Sequence, residues 1–138
     1  MIVADANVVA ALYFDSAVTA DARRLLDLDG DWVVPDLWRH EMLNIAANYA
    51  KFAQSGLAGV TAAWEHADAM FSPRQRTVNM SAALALAVKL RLSAYDAQYL
   101  ALAKELDVPL VSLDKKLCAA APKIALSLRD ALARIQAD

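Results

Sequence analysis

Three short apolar runs constrain this chain more than anything else in it: MIVA at 1–4, WVV at 32–34 and PLVSL at 109–113. A strand with one wet face alternates apolar and polar residues. A strand covered on both faces has no reason to alternate, and near-continuous Val, Leu and Ile is its mark. Strands of that kind belong to a parallel sheet, and the long segments between these runs carry helical rather than strand periodicity. Strands alternating with helices imply a parallel sheet with helices on both faces and right-handed crossovers.

The intervening segments read as follows. Residues 16–29 predict a helix, with Ala17, Ala20, Leu25 and Leu28 on its apolar side. Pro35 ends the second strand and Asp36 is placed to cap the next helix. Trp38, Met42, Ile45, Tyr49 and Phe52 then recur at spacings of three and four, an apolar stripe at helical period. Gly56 marks the end of that helix. A second amphipathic helix spans 57–71, with Leu57, Val60, Trp64 and Ala67 aligned, and Ser72-Pro73 breaks it. A short strand at 76–78, helices at 81–92 and 93–106, an edge strand at 124–126 and a closing helix from about 127 complete the pattern. The expected architecture is an α/β, three-layer α/β/α sandwich around a parallel sheet of four to five strands. A helical hairpin is inserted in its middle. With 138 residues, 3 Gly and 4 Pro, and no repeat or linker, the chain is expected to form one domain, residues 1–138.

Within this scheme four carboxylates stand out: Asp5, Glu41, Asp96 and Asp114. Each has a local explanation. Asp5 and Asp114 follow strands and can cap the helical turns after them. Ser93-x-x-Asp96 resembles a capping box, and Glu41 lies early in its helix, where the macrodipole favours a negative charge. Topology gives them a shared one. All strand C-termini of a parallel sheet meet at one rim, where open α/β sheets bind ligands. Asp5 and Asp114 sit at strand ends, and Glu41 and Asp96 lie within about 8 Å of the rim at 1.5 Å per residue. Acids brought together in apolar surroundings repel one another unless a cation lies between them. A hard divalent ion takes oxygen ligands, and a carboxylate-bound ion suits phosphodiester hydrolysis. Asn44, three residues beyond Glu41 on the same helical side, is placed to orient Glu41 or a bound water.

Charge and composition exclude several classes. Lys plus Arg is 14 and Asp plus Glu is 16, a net charge of -2, which is not the balance of a protein that coats nucleic acid. Any such contact must use local patches, and Lys115 and Lys116, beside Asp114, are the best placed. Arg39 is a further candidate from its closeness to Glu41. Alanine supplies much of the apolar content. The longest apolar run, AALALAV at 82–88, falls well short of the roughly 18 residues of a membrane span. The N-terminal run has no basic segment before it and is interrupted by Asp5, so neither a signal peptide nor a membrane association is expected. A single cysteine, Cys118, forms no internal disulfide and reads as a small core residue. A cytoplasmic location follows. His40 and His66 lack the spacing of a metal pair or a triad.

The residues around the acids occur in four segments: D-A-N at 5–7, P-x-x-W-R-H-E-x-x-N at 35–44, Y-D-A-Q-Y-L-A-L-A at 95–103 and P-L-V-S-L-D-K-K-L at 109–117. In this order, over nearly the whole chain, they resemble the PIN-domain family, and within it the VapC-type toxins of bacterial toxin–antitoxin pairs. The resemblance implies an endoribonuclease dependent on Mg²⁺ or Mn²⁺, with the acidic pocket at Asp5, Glu41, Asp96 and Asp114. Of these, Asp5, Asp96 and Asp114 would hold an ion directly, and Glu41 would act through water or a second ion. Ser112 matches a Ser or Thr that often precedes the last acid by two residues, where it hydrogen-bonds within the pocket. The resemblance also implies an RNA substrate, a homodimer and a small VapB-like antitoxin. Independently of it, the two amphipathic helices of the hairpin are expected to expose a groove in which Trp64, Phe71 and Leu57 receive an antitoxin helix or a second subunit. Nothing transfers around Arg76, where the pattern is less typical. Two other classes compete: a phosphoacceptor, receiver-like α/β domain and a non-catalytic interaction module. The first needs an acidic pair after the first strand, whereas Asp5 has only Asn7 beside it.

Overall fold

The apolar runs become parallel strands in the computed structural model, which describes residues 1–53 and 55–138. The strands are β1 (Ile2–Ala4), β2 (Trp32–Pro35), β3 (Gln75–Arg76), β4 (Leu110–Val111) and β5 (Ala125–Leu126). All pair in parallel, in the spatial order β3-β2-β1-β4-β5. The chain starts in the middle strand, winds outward through β2 and β3, then crosses back to β4 and β5. The order therefore reverses between β1 and β4, the place where sheets of this kind open a crevice at their strand C-termini.

The helices are α1 (Ala6–Tyr13), α2 (Thr19–Leu28), α3 (Trp38–Phe52), α4 (Leu57–Phe71), α5 (Met80–Leu90), α6 (Ala94–Leu106), α7 (Lys115–Ala120) and α8 (Leu128–Ala137). Strand side chains alternate between the two layers they form. Ile2, Ala4, Trp32, Val34 and Val111 face a core completed by α1, α2, α3, α4 and α8. Val3, Val33 and Leu110 face the other, built from α6 and α7 with the inner edge of α5. This is the expected three-layer α/β sandwich, with α3 and α4 as the inserted hairpin.

Several boundaries differ from expectation, each for a local reason. Residues 6–13 form a full helix because Asp5 caps it, accepting from the Asn7 N–H; the sequence had indicated only a helical turn there. Asp36 does not cap α3. The chain turns through Asp36 and Leu37, Leu37 is already right-handed, and no side chain caps the helix. Gly56 precedes α4 rather than ending α3, which stops at Phe52. Asn79 caps α5 through the Ala82 N–H, and Arg91 ends it in the left-handed region at φ 55°, so the helix is shorter than 81–92. Val78 lies outside β3, which pairs with β2 only through Gln75 and Arg76. Ser93 caps α6 as its spacing implies, and Ser127 caps α8 in the same way. The apolar stripe of α3 is buried at Trp38 and Met42 but not at Phe52, which is 83% exposed.

Candidate active site

Asp5 ends β1, and its own N–H bonds the Val111 carbonyl at 3.0 Å, which fixes it beside the end of β4. The Ser112 hydroxyl donates to Asp5 Oδ2 at 2.7 Å and accepts from the Asp114 N–H at 3.0 Å. One fully buried hydroxyl therefore ties the acids of the two central strands to each other. Asn7 completes the tie: its Oδ1 accepts from the Leu113 N–H at 3.2 Å. Asp114 caps α7, with Oδ1 accepting from the Lys116 and Leu117 N–H groups at 2.9 and 3.2 Å. The capping explanation of Asp5 and Asp114 is thus correct, and it does not exclude a second role: each also lines a cleft of about 610 Å³ at the sheet rim.

The other walls of the cleft come from α3 and α6. Leu37 at the entry to α3 and Glu41 and Ile45 within it form one row, His40 and Asn44 the next, while α6 presents Tyr95 and Asp96. The cap at Ser93 uses the Asp96 backbone N–H, which leaves the Asp96 carboxylate to face the cleft. All four acids and Asn44 are brought together here. Tyr99, three residues beyond Asp96, is 1% exposed beneath the floor. Its hydroxyl and Glu41 Oε1 are both buried with no hydrogen-bond partner. The hydroxyl is close enough to Glu41 to favour its ionised form, although the two do not meet hydrogen-bond geometry.

The electrostatics are those of uncompensated acids. Burial, followed by the charges of Glu41 and Asp96, raises the Asp5 carboxyl from 3.8 to about 6, against the pull of Ser112 and the Asn7 N–H. Glu41 is raised by burial and by Asp96. Asp96 is raised by burial and by Asp114, with Lys116 opposing. The Tyr99 hydroxyl is pushed well above 10, by burial first and then by Asp5 and Glu41. The four carboxylates sense one another around the cleft without meeting at one point. Among the described residues, no three His, Cys, Asp or Glu side chains stand close enough to hold an ion as they are.

Three further expectations meet the structure here. Arg39 turns away from Glu41: its Nε and Nη2 bond Asp68 at 2.6 and 2.9 Å, and it lies over the Trp64 ring. The packing of α4, which brings Asp68 beside Arg39, accounts for this. Lys115 and Lys116 are exposed beside the cleft, with Lys116 acting on Asp96. Phe71 is fully buried against Trp32 and Trp38, so it belongs to the core and not to a docking surface. The sequence reading did not place His40, Tyr95, Tyr99 or Asn7 in the site. Two signals were available: His40 is four residues before Asn44, and Tyr95 and Tyr99 stand four apart astride Asp96, spacings that share a helix side.

Fold and rim together define an α/β domain with an acidic cleft at its topological switch point. The family model described as PIN domain matches residues 2–123, and the chain belongs to the PIN-domain family. PIN domains are generally nucleases, a class of hydrolase. No curated protein matches the chain. Among solved structures, PAE2754 from Pyrobaculum aerophilum is similar at 21% identity and a TM-score of 0.75, over 99% of this chain and 97% of that one. FitAcB from Neisseria gonorrhoeae is similar at 17% identity and a TM-score of 0.68, over 94% and 99%. FitAB bound to an IR36 DNA fragment is similar at 18% identity and a TM-score of 0.66, over 93% and 95%. At these identities the likeness concerns the fold.

Proposed function

We propose that this protein is a metal-dependent endoribonuclease and the toxin of a type II toxin–antitoxin pair. Membership of the PIN-domain family supports the nuclease class. The single observation that carries the metal is the unneutralised acidity of the cleft. Asp5 is 7% exposed and raised to about 6, and no Lys or Arg lines the cavity with it. An oxygen-only set of carboxylates with one buried member suits Mg²⁺ or Mn²⁺. The orphaned Glu41 Oε1 fits the same reading. Asp5, Asp96 and Asp114 would hold the ion, and Glu41 would complete the set through water or a second ion. When bound, the ion lowers the pKa of a water and offsets charge on the scissile phosphate.

The chain's own residues do the rest. Ser112 fixes the Asp5 carboxylate toward the cleft while steadying the turn that carries Asp114. Burial of Tyr99 next to Glu41 limits water on that side. Asn44 offers an amide beside Glu41 for a water or a phosphate oxygen. Lys115 and Lys116 supply positive charge at the rim for the RNA backbone.

The toxin assignment rests on the VapC-type pattern of the four motifs, and two surfaces fit the partners it implies. An apolar groove of about 180 Å³ between α3 and α4, lined by Leu43, Ala47, Leu57 and Trp64 among others, suits an antitoxin helix. Met80, Leu84 and Val88 form an exposed row at spacings of four on α5 and suit a second copy of the chain. No helix among the described residues is long and apolar enough to cross a membrane, and we place the activity in the cytoplasm.

The test is cleavage of total RNA with Mg²⁺ and with chelator, by wild type and by Asp5→Asn. Metal-dependent cuts lost in the variant support the proposal; cuts that persist in Asp5→Asn sink it. In cells, expression should arrest growth and Asp96→Asn should relieve the arrest. A harmless wild type favours a non-catalytic interaction module.

A further inference from the structure

We propose that Tyr95 is the stacking platform of a nucleobase subsite at the mouth of the acidic cleft, a proposal that rests on the ribonuclease reading above. Tyr95 and Tyr99 are four residues apart on α6 and so lie on one side of the helix. Tyr99, one turn deeper, is 1% exposed, whereas Tyr95, one turn nearer the rim, is 61% exposed and still lines the cleft. The ring is therefore presented to the cavity and is not consumed by packing. Phe52 is exposed to a greater degree, but it stands at the end of α3 and lines no part of this cleft.

The surroundings distinguish a base from other parts of a nucleotide. Across the cleft from α6, helix α3 supplies the apolar side chains Leu37 and Ile45 and the imidazole of His40. The acids lie deeper and repel phosphate oxygens wherever no cation intervenes. A nucleobase is neutral and flat, so it is the portion of an RNA chain that this mouth accepts without charge compensation. Aromatic side chains hold single-stranded bases by stacking, which needs no hydrogen-bond partner and tolerates any base. The cavity, about 610 Å³, is in the size range of pockets that enclose a small organic ligand. A nucleotide seated this way has its base on Tyr95 and its phosphate toward Asp96, the next residue along the helix.

Two measurements test this. On an RNA that the wild type cuts, Tyr95→Ala should raise KM roughly tenfold, the scale of losing one stacked base, with the loss falling on KM rather than kcat. Tyr95→Phe, which keeps the ring, should restore KM. A Tyr95→Ala KM equal to that of wild type overturns the subsite and leaves the nuclease reading intact. The second measurement is fluorescence quenching of a single-stranded RNA 12-mer carrying 2-aminopurine, titrated with full-length protein and Mg²⁺. Quenching by wild type that is lost in Tyr95→Ala supports the subsite even if no RNA is cut, an outcome that would defeat the nuclease reading alone. Equal quenching by both, or none by either, overturns it.

Discussion

Asp5 and Asp68 are the same residue type in opposite circumstances. Asp68, on the α3–α4 hairpin, receives two bonds from Arg39 and one from Ser72, and its carboxyl is held down to about 2. Asp5, at the sheet rim, is buried among acids with one hydroxyl and one N–H for company, and its carboxyl rises to about 6. At this point of the hairpin the two charges neutralise each other. The rim is unfinished by the same standard, and what Asp5 lacks is a basic partner in contact with it. That difference separates a packing region from a candidate reaction centre more clearly than conformation does, since both are well-formed helix and strand termini.

If the hairpin is finished, truncating it should only destabilise. Phe71→Ala removes a fully buried ring packed at 6.1 Å from Trp32 and 5.9 Å from Trp38, centroid to centroid. The expected loss is about 3–5 kcal/mol, read from urea or thermal unfolding. A loss below about 1 kcal/mol would mean that the hairpin packs against the sheet less tightly than Trp38 and Phe71 indicate.

If the rim is unfinished, removing a charge from it should do the reverse. The Asp5 pKa in the folded state lies above its ordinary value of 3.8. The folded form therefore holds the proton more tightly, and the penalty is absent below pH 3.8, grows up to pH 6 and is complete above it. A shift of this size corresponds to about 3 kcal/mol. Asp5→Asn should raise metal-free stability at pH 7.5 by up to about that amount, and should do little at pH 4. The same substitution should abolish Mg²⁺-dependent cleavage. A variant that is less stable than wild type at pH 7.5 would show that the rim's acids are already compensated.

The same logic fixes the metal response. Mg²⁺ or Mn²⁺ at 100 times its Kd should stabilise the protein by about 2.7 kcal/mol, visible as a rise in melting temperature at pH 7.5. At pH 5, where Asp5 is mostly protonated given its value of about 6, the rise should shrink or vanish. A rise independent of pH would place the ion elsewhere.

Much of this contrast could be read from the chain before folding, and the unread part has a physical cause. The strands were legible because burial on both faces leaves an uninterrupted apolar run, as in MIVA and PLVSL. The rim acids were legible because a strand end or a helix start fixes their height on the sheet. What the sequence could not give was direction around a helix where two residue types compete for it. Arg39 and Glu41 are two positions apart, and only the packing of α4, which brings Asp68 within 2.6 Å of Arg39, decides that the arginine turns outward. Tyr95 and Tyr99 looked alike in sequence, but their depth depends on where α6 passes the end of β1. The failed cap at Asp36 arose because Leu37 is already in the helical region, a backbone choice that leaves no trace in residue type.

The smallest effect should come from the pair that looks strongest. Arg39 and Asp68 are joined by two short bonds, yet their side chains remain 50% and 28% exposed, and solvent screens such pairs. The Asp68 pKa of about 2 lies below 3.8, so its contribution is present above pH 3.8 and is lost as pH falls toward 2. Asp5 acts in the adjoining window with the opposite sign, losing stability as pH rises from 3.8 to 6. Between them the metal-free wild type should be most stable near pH 4, falling on both sides. Arg39→Met should flatten part of the acid limb, since Ser72 also holds Asp68 down, and should lower the midpoint by one small, constant amount at every pH above about 4, while Asp5→Asn should flatten only the other limb. Urea midpoints collected from pH 2 to pH 8 for the two single variants and the double variant separate the limbs. If Arg39→Met instead changes the slope of the limb between pH 4 and pH 6, the arginine acts on the cleft acids at a distance, and the rim is less isolated from the hairpin than its hydrogen bonds imply.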